Sequence, residues 1–286
     1  MSRPLPIALV QAPARGSDEP LDAFLEEMRR TMRRFPQTQL LAYPELHLEA
    51  YVGRATMHEV AEPLDGPRNQ ALAAAAGELG VWLVPGTVLE RGPDGQVFNT
   101  AVVFSPQGEL VAHYRKMFPW RPYEPYDAGD RFVVANLPGV GRLGLSICYD
   151  AWFPELARHL AWMGAEAILN LVHTTTSDRQ QEVVIARATA IVNQVYVLSI
   201  NSAGPIGTGR SVVVDPEGMV RLETLDAMPA VLTDVLDLER VDVVRQFGTA
   251  ALNRPWQQFR EGEPPLELPL YSGRIDPATW TPRGSA

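Results

Sequence analysis

Cysteine is almost absent: the 286-residue chain has one, Cys148. A single thiol excludes an intrachain disulfide framework and any cysteine-based zinc site. It fits a reducing compartment. Positive charge is also short. Against 34 Asp and Glu stand 25 Lys and Arg, a formal net charge of −9, so a phosphate backbone is not an expected partner. Long apolar runs are missing as well, none reaching the roughly 18 residues that cross a bilayer. The opening MSRPLPIALVQAP has one arginine and an apolar run broken by Pro4 and Pro6, which is not the pattern of a signal peptide. These absences predict a soluble, cytoplasmic protein without a nucleic-acid or membrane partner. With 46% hydrophobic residues, the length suffices for one large domain or two small ones.

Short apolar runs at 7–10, 40–43, 81–84, 143–147, 167–172, 195–200 and 230–236 read as strands buried under helices. Between them, Leu21, Phe24, Leu25, Met28 and Met32 repeat at helical spacing over 21–35. An alanine-rich helix over 69–80 closes on Gly80, one over 154–164 opens on Pro154, and one runs to Asn193 from a Ser177 cap. Two hairpins are predicted: 97–104 with 110–114 around Pro106-Gln107-Gly108, and 211–215 with 219–222 around Pro216-Glu217-Gly218. Strands and helices alternate without a linker, which predicts one α/β domain over 1–237. The stretch 238–286 reads as an irregular, proline-rich arm. Its Trp256, Phe259, Leu266, Leu268, Leu270 and Tyr271 need cover from the domain or from a second subunit, so a homodimer or larger homo-oligomer is expected.

Two motifs mislead. Gly139-Val-Gly-Arg-Leu-Gly144 matches a dinucleotide-binding spacing, but follows a proline-bearing loop and opens a strand instead of a helix. His58-Glu59-Val-Ala-Glu62 lacks the second histidine a zinc helix needs; no metal is expected. The informative pattern is positional. Glu45, Lys116 and Cys148 each stand just past a strand, in LLAYPE, ELVAHYRK and LGLSIC. The carboxyl ends of strands border the ligand crevice in open α/β sheets. Taken singly, each also has an ordinary reading: a first-turn glutamate, a surface lysine, a buried core cysteine. Spacing alone does not choose.

The segments Tyr43-Pro-Glu45-Leu46, Tyr114-Arg-Lys116, Ser146-Ile-Cys148-Tyr-Asp150 and Phe153-Pro-Glu155 resemble, in order, the glutamate, lysine and cysteine motifs of the nitrilase superfamily of carbon–nitrogen hydrolases. The similarity continues through ATAIVNQVYV (188–197), Gly209-Arg-Ser211 and Asp215-Pro-Glu-Gly218, and covers about residues 5–237. It implies a four-layer α-β-β-α sandwich and a Glu45, Lys116, Cys148 site of the amidase branch. The stretch from Lys116 to Glu124 and Ala128-Gly129 is similar to a loop of aliphatic amidases in which a second glutamate positions the substrate, which implies that role for Glu124.

The chemistry suits these residue types. An amide carbonyl is a poor electrophile, so the attacking group must be a thiolate. Glu45 would take the Cys148 proton, and Lys116 would favour the anion. Lys116 and the Tyr149 N–H would hold the tetrahedral oxyanion, such donors being worth about 3–4 kcal/mol each. A thioester would form and be hydrolysed, without metal or organic cofactor. The three groups should line one pocket, sulfur within hydrogen-bonding reach of Glu45. Relatives acting on carboxylate-bearing amides carry an arginine four residues after the cysteine; here Trp152 stands there, as in carbamoylputrescine hydrolases. An uncharged or cationic substrate is expected, walled by Trp120, Tyr123, Tyr149, Trp152, His173 and Thr174. A carboxamide is the first expectation. An N-carbamoyl amine or a nitrile at the same site is the alternative, and a catalytically silent binding protein on the same fold the third.

Overall fold

The computed structural model describes residues 2–50, 56–264, 266–268 and 273. In chain order its strands are β1 (Pro4–Gln11), β2 (Leu40–Ala42), β3 (Trp82–Val84), β4 (Thr87–Arg91), β5 (Val97–Phe104), β6 (Leu110–Arg115), β7 (Val134–Leu137), β8 (Gly141–Ile147), β9 (Ala167–Val172), β10 (Tyr196–Asn201), β11 (Val212–Val214), β12 (Val220–Glu223) and β13 (Ala230–Asp237). The helices are α1 (Leu21–Arg34), α2 (Met57–Val60), α3 (Pro67–Leu79), α4 (Pro154–Trp162), α5 (Arg179–Asn193) and α6 (Glu239–Phe247).

Among the described residues the strands form two sheets. The first has the order β13-β1-β2-β3-β5-β4, with β6 on β5; the second runs β12-β11-β10-β9-β8-β7. Alternation of side chains decides the layering. Leu5, Ile7 and Leu9 of β1, Leu40 and Ala42 of β2, Trp82 and Val84 of β3, and Ala101 and Val103 of β5 join the core shared with the second sheet. The intervening Ala8, Val10, Leu41, Leu83, Val102 and Phe104 pack instead with Phe24, Met28 and Met32 of α1 and Leu72, Ala75 and Ala76 of α3. The second sheet is covered on its other side by α4 against β8 and α5 against β10. The layers are therefore α-β-β-α, as the family resemblance implies.

β1, β2 and β3 are parallel to one another, as are β8, β9 and β10. Their carboxyl ends define the rim where the candidate residues sit.

Several sequence expectations are corrected. β4 and β7 were not anticipated; both are edge strands, whose five and four residues gain strand identity from one partner rather than from their own pattern. Ser177 does not cap α5 with its side chain. The N-cap is Asp178, and main-chain carbonyls of Thr176, Ser177 and Asp178 accept the first N–H groups instead. The stretch after Asp237 is not wholly irregular, because α6 forms there and buries Val241 and Val244. That two-residue stripe is too narrow to stand out between Glu239, Arg240 and Asp242. In the arm, Trp256 packs on its own domain, its Nε1–H donating to the Asn193 carbonyl at 3.3 Å beside Trp162. Phe259, Leu266 and Leu268 are exposed; Leu270 and Tyr271 lie outside the described residues. The glycine motif at 139–144 forms the β7–β8 turn and the start of β8.

Gly86 joins β3 to β4 at φ 100°, and a Cβ there would stand 2.0 Å from the Pro44 carbonyl oxygen. That carbonyl immediately precedes Glu45. Gly86→Ala should therefore lower stability by about 2–4 kcal/mol through strain and displacement of Pro44. Gly139→Ala, at φ 76° with open space around the added Cβ, should lose only about 1–2 kcal/mol. Urea denaturation of both variants checks the contrast.

Candidate active site

Glu45 follows β2 by three residues, and the turn is held just beyond it. Leu46 adopts a left-handed backbone, φ 46°, and its N–H donates to Thr87 Oγ1 at 2.8 Å. Glu45 itself is buried. Its Oε1 accepts from Asn99 Nδ2 at 2.8 Å and Lys116 Nζ at 2.9 Å, and its Oε2 accepts the His173 backbone N–H at 3.0 Å.

Lys116 directly follows β6. Its N–H donates to the Asn99 carbonyl, and its own carbonyl accepts the Gly129 N–H. The side chain is 0% exposed, and its ammonium lies between two carboxylates: 2.9 Å from Glu45 Oε1 and 2.8 Å from Glu124 Oε2. Burial alone would lower the lysine, but these carboxylates overcome it and hold the ammonium well above its ordinary value. Burial, reinforced by Glu45, pushes the Glu124 carboxyl up against the pull of Lys116. Glu124 is fixed by its own loop, its Oε2 accepting the Trp120 N–H at 2.7 Å.

Cys148 directly follows β8, with φ 47°. A side-chain-bearing residue in that region is strained; it turns the chain out of the strand into a 3₁₀ turn, Cys148–Trp152. The thiol is pushed well up, by burial first and by the Glu45 carboxylate, with Lys116 opposing. A protonated thiol therefore needs a base to ionise it. The sulfur's hydrogen-bond contact among the described residues is with Thr174 Oγ1 at 3.9 Å, not with Glu45 as the sequence led one to expect. Both Glu45 oxygens are already occupied by Asn99, Lys116 and His173.

Asp150 ties the lysine strand to the cysteine turn. It is fully buried and accepts from Tyr114 Oη at 2.7 Å, the Phe118 N–H at 2.9 Å and the Ile147 N–H at 2.9 Å. Tyr114 lies two residues before Lys116, Phe118 two after it, and Ile147 just before Cys148. Sequence reasoning quoted Tyr114 and Asp150 as motif letters without a role. Asn99 was missed altogether, because it is an internal strand residue whose side chain reaches the site only through the β5–β6 pairing. Glu182 and Asn201, which fix Thr174, were missed for the same kind of reason.

The expected wall residues divide. His173 is half-buried, its Nδ1 2.7 Å from Ser202 Oγ, and burial pushes its imidazole below the ordinary value. Tyr149 and Trp152 are half-buried in the 3₁₀ turn, ring centroids 6.2 Å apart. Trp120 and Tyr123 pair at 4.4 Å and remain 38% and 69% exposed. Arg179 pairs with Glu182 and Arg210 with Glu223. Among the described residues, no group of three or more His, Cys, Asp or Glu could hold a metal ion, and no helix is long and apolar enough to cross a membrane.

Two facing sheets between helix layers, with this rim of strand ends, are the nitrilase fold. The chain belongs to the carbon–nitrogen hydrolase family, whose model matches residues 6–246. Saccharomyces cerevisiae Nit3, a member of branch 10 of the nitrilase superfamily, superposes with a TM-score of 0.77 at 27% identity, covering 85% of this chain and 94% of that one. An amidase from Nesterenkonia sp. superposes with a TM-score of 0.72 at 28% identity, covering 84% and 93%. A formamidase of Bacillus thuringiensis (strain Al Hakam) is 33% identical over 202 residues, 70% of this chain and 60% of its own length. The aligned part thus spans about 60% of the curated relatives it matches.

Replacing Asp150 by Asn leaves one of three buried donors facing an amide NH₂ group. Asp150→Asn should cost about 1–3 kcal/mol for that unsatisfied donor. Burial raises the Asp150 carboxyl to about 6 from an ordinary 3.8. Between these values the folded state holds a proton that the unfolded state has released, so the wild type loses stability as pH rises through that window. The wild-type advantage over Asp150→Asn, read by urea denaturation, should therefore be larger near pH 4 than at pH 7.

Proposed function

We propose that this protein hydrolyses the carbon–nitrogen bond of a small carboxamide through a thioester on Cys148. The carrying observation is the buried Lys116 ammonium held between Glu45 and Glu124 at the rim where Cys148 leaves β8. Glu45 takes the thiol proton, and the sulfur's electron pair attacks the carbonyl carbon. The oxyanion is held by Lys116 and by the Tyr149 N–H, which lies in the first turn of the 3₁₀ helix, where main-chain donors lack an intrahelical acceptor. Glu45 returns the proton to the departing ammonia or amine, leaving the acyl group on sulfur. It then removes a proton from water, which attacks the thioester and releases the acid and the thiol. Glu124 positions Lys116 and the substrate amide.

The names of several relatives support an amide as the substrate. Curated relatives from Bacillus thuringiensis (strain Al Hakam) and Bacillus cereus (strain AH820) are called formamidases. A mutant of the amidase from Nesterenkonia sp. AN1, 28% identical over a superposition covering 86% of this chain, is solved in complex with butyramide. A lone nucleophilic thiol has to stay reduced, which fits a cytoplasmic location. The exposed Phe259, Leu266 and Leu268 of the arm are consistent with self-association.

Cys148→Ala should abolish ammonia release from short carboxamides while the variant still folds, one small side chain replacing another. Intact-mass measurement should find an acyl adduct on the wild type only; a tenth of wild-type turnover in the variant would rule out covalent catalysis there. Trp152 offers an apolar, cation-attracting face and no salt bridge. Wild type should prefer neutral or cationic amides, and Trp152→Arg should shift the ratio of kcat/KM for paired neutral and anionic amides toward the anionic one. An unchanged ratio in a folded variant would confine Trp152 to packing.

A further inference from the structure

The residues at the end of β9 touch both reacting groups. The His173 backbone N–H holds Glu45 Oε2 at 3.0 Å, and the next side chain, Thr174, lies 3.9 Å from the Cys148 sulfur. Thr174 is 5% exposed and is pinned from several sides. Its N–H donates to Asn201 Oδ1 at 2.9 Å, and its carbonyl accepts from Thr208 Oγ1 at 2.9 Å and Asn201 Nδ2 at 3.3 Å.

A threonine hydroxyl has one hydrogen to give. Here it goes to the Glu182 carboxylate, with Oε1 at 2.7 Å and Oε2 at 2.9 Å. Glu182 is in turn paired at 2.9 Å with Arg179, which is 1% exposed and donates to the Gly209 and Arg210 carbonyls and to Ser199 Oγ. With its hydrogen committed, the Thr174 oxygen faces the sulfur as an acceptor, so the thiol is the donor in that contact. The Glu182 charge also favours the protonated thiol.

We propose that Thr174, oriented by Glu182 and Arg179, is a positioning residue that accepts the Cys148 S–H and parks the nucleophile in its protonated form. The proposal rests on Cys148 being the nucleophile. When Glu45 takes the proton, the S–H bond breaks, its electron pair stays on sulfur and the hydrogen passes to the carboxylate, releasing the Thr174 oxygen. The nucleophile is then freed by the base that acts on the substrate, not by solvent. None of these three residues touches the substrate in this role; Thr174 sets where the sulfur waits.

Because Cys148 is the single cysteine, the S–H stretching band in a Raman spectrum belongs to it alone. In the wild type that band should lie below the position of an unbonded thiol such as ethanethiol in carbon tetrachloride. Thr174→Ser should keep it there, and Thr174→Val should move it up. Thr174→Val removes a contact held only until the proton leaves, so kcat on a short carboxamide should not fall and should rise by up to about fivefold, the worth of one neutral hydrogen bond, with KM changed by less than about twofold; Thr174→Ser should keep the wild-type rate. A wild-type band at the unbonded position, or one that a folded Thr174→Val leaves unmoved, overturns the proposal. If Thr174→Val does not fold, the wild-type and Thr174→Ser spectra still decide. If no carboxamide is turned over, the functional reading fails while the spectra still test the parking contact.

Discussion

An ammonium with no access to water is the constraint around which this rim is arranged. Lys116 is 0% exposed, and a buried charge without partners is costly enough to drive deprotonation or unfolding. Glu45 and Glu124 close on it at 2.8–2.9 Å from opposite sides of the chain. Two carboxylates around one cation leave a surplus of negative charge, and the neighbourhood is built to hold it. Asn99 and the His173 N–H donate to Glu45, and the Trp120 N–H donates to Glu124. Burial first, and then the same surplus, push the adjacent thiol up, so the arrangement that holds the lysine charged also leaves the thiol in need of a base.

The second requirement is mechanical. The lysine follows a strand of one sheet and the cysteine a strand of the other, and shared apolar packing alone would fix their separation loosely. Asp150 supplies the joint, taking one donor from the cysteine turn and two from the lysine arm. Backbone strain collects at the same place: Leu46, next to Glu45, and Cys148 itself adopt left-handed conformations without being glycine. Such strain persists only where the surroundings over-determine it. Here Thr87 and Asp150 do so.

The legible parts were those written in local pattern. Helices α1 and α3, the strands beneath them and the β5–β6 hairpin stand within a few residues of their expected bounds, because period 3.6 and period 2 reflect which faces are buried. The edge strands β4 and β7 and the short helix α6 were not legible, since each depends on a neighbour supplied from elsewhere in the chain. Glu45, Lys116 and Cys148 could be marked as strand-end residues, yet each alone was as well explained by packing. What joined them was the order of four motifs resembling one family, which is information about descent and not about geometry.

By itself the sequence determined the class of fold, through alternating apolar runs, and the chemical repertoire, through one cysteine and two other strand-end groups. Tertiary structure decided the partners. Asn99 meets Glu45 across 54 positions, Thr174 meets Cys148 across 26, and His173 meets Glu45 across 128. Hydrogen bonds of that span depend on sheet register and on which strand ends share a rim, and no local periodicity encodes either. That is why the thiol's hydrogen-bond contact is with a threonine two residues beyond β9, where the expected chemistry had pointed to the glutamate.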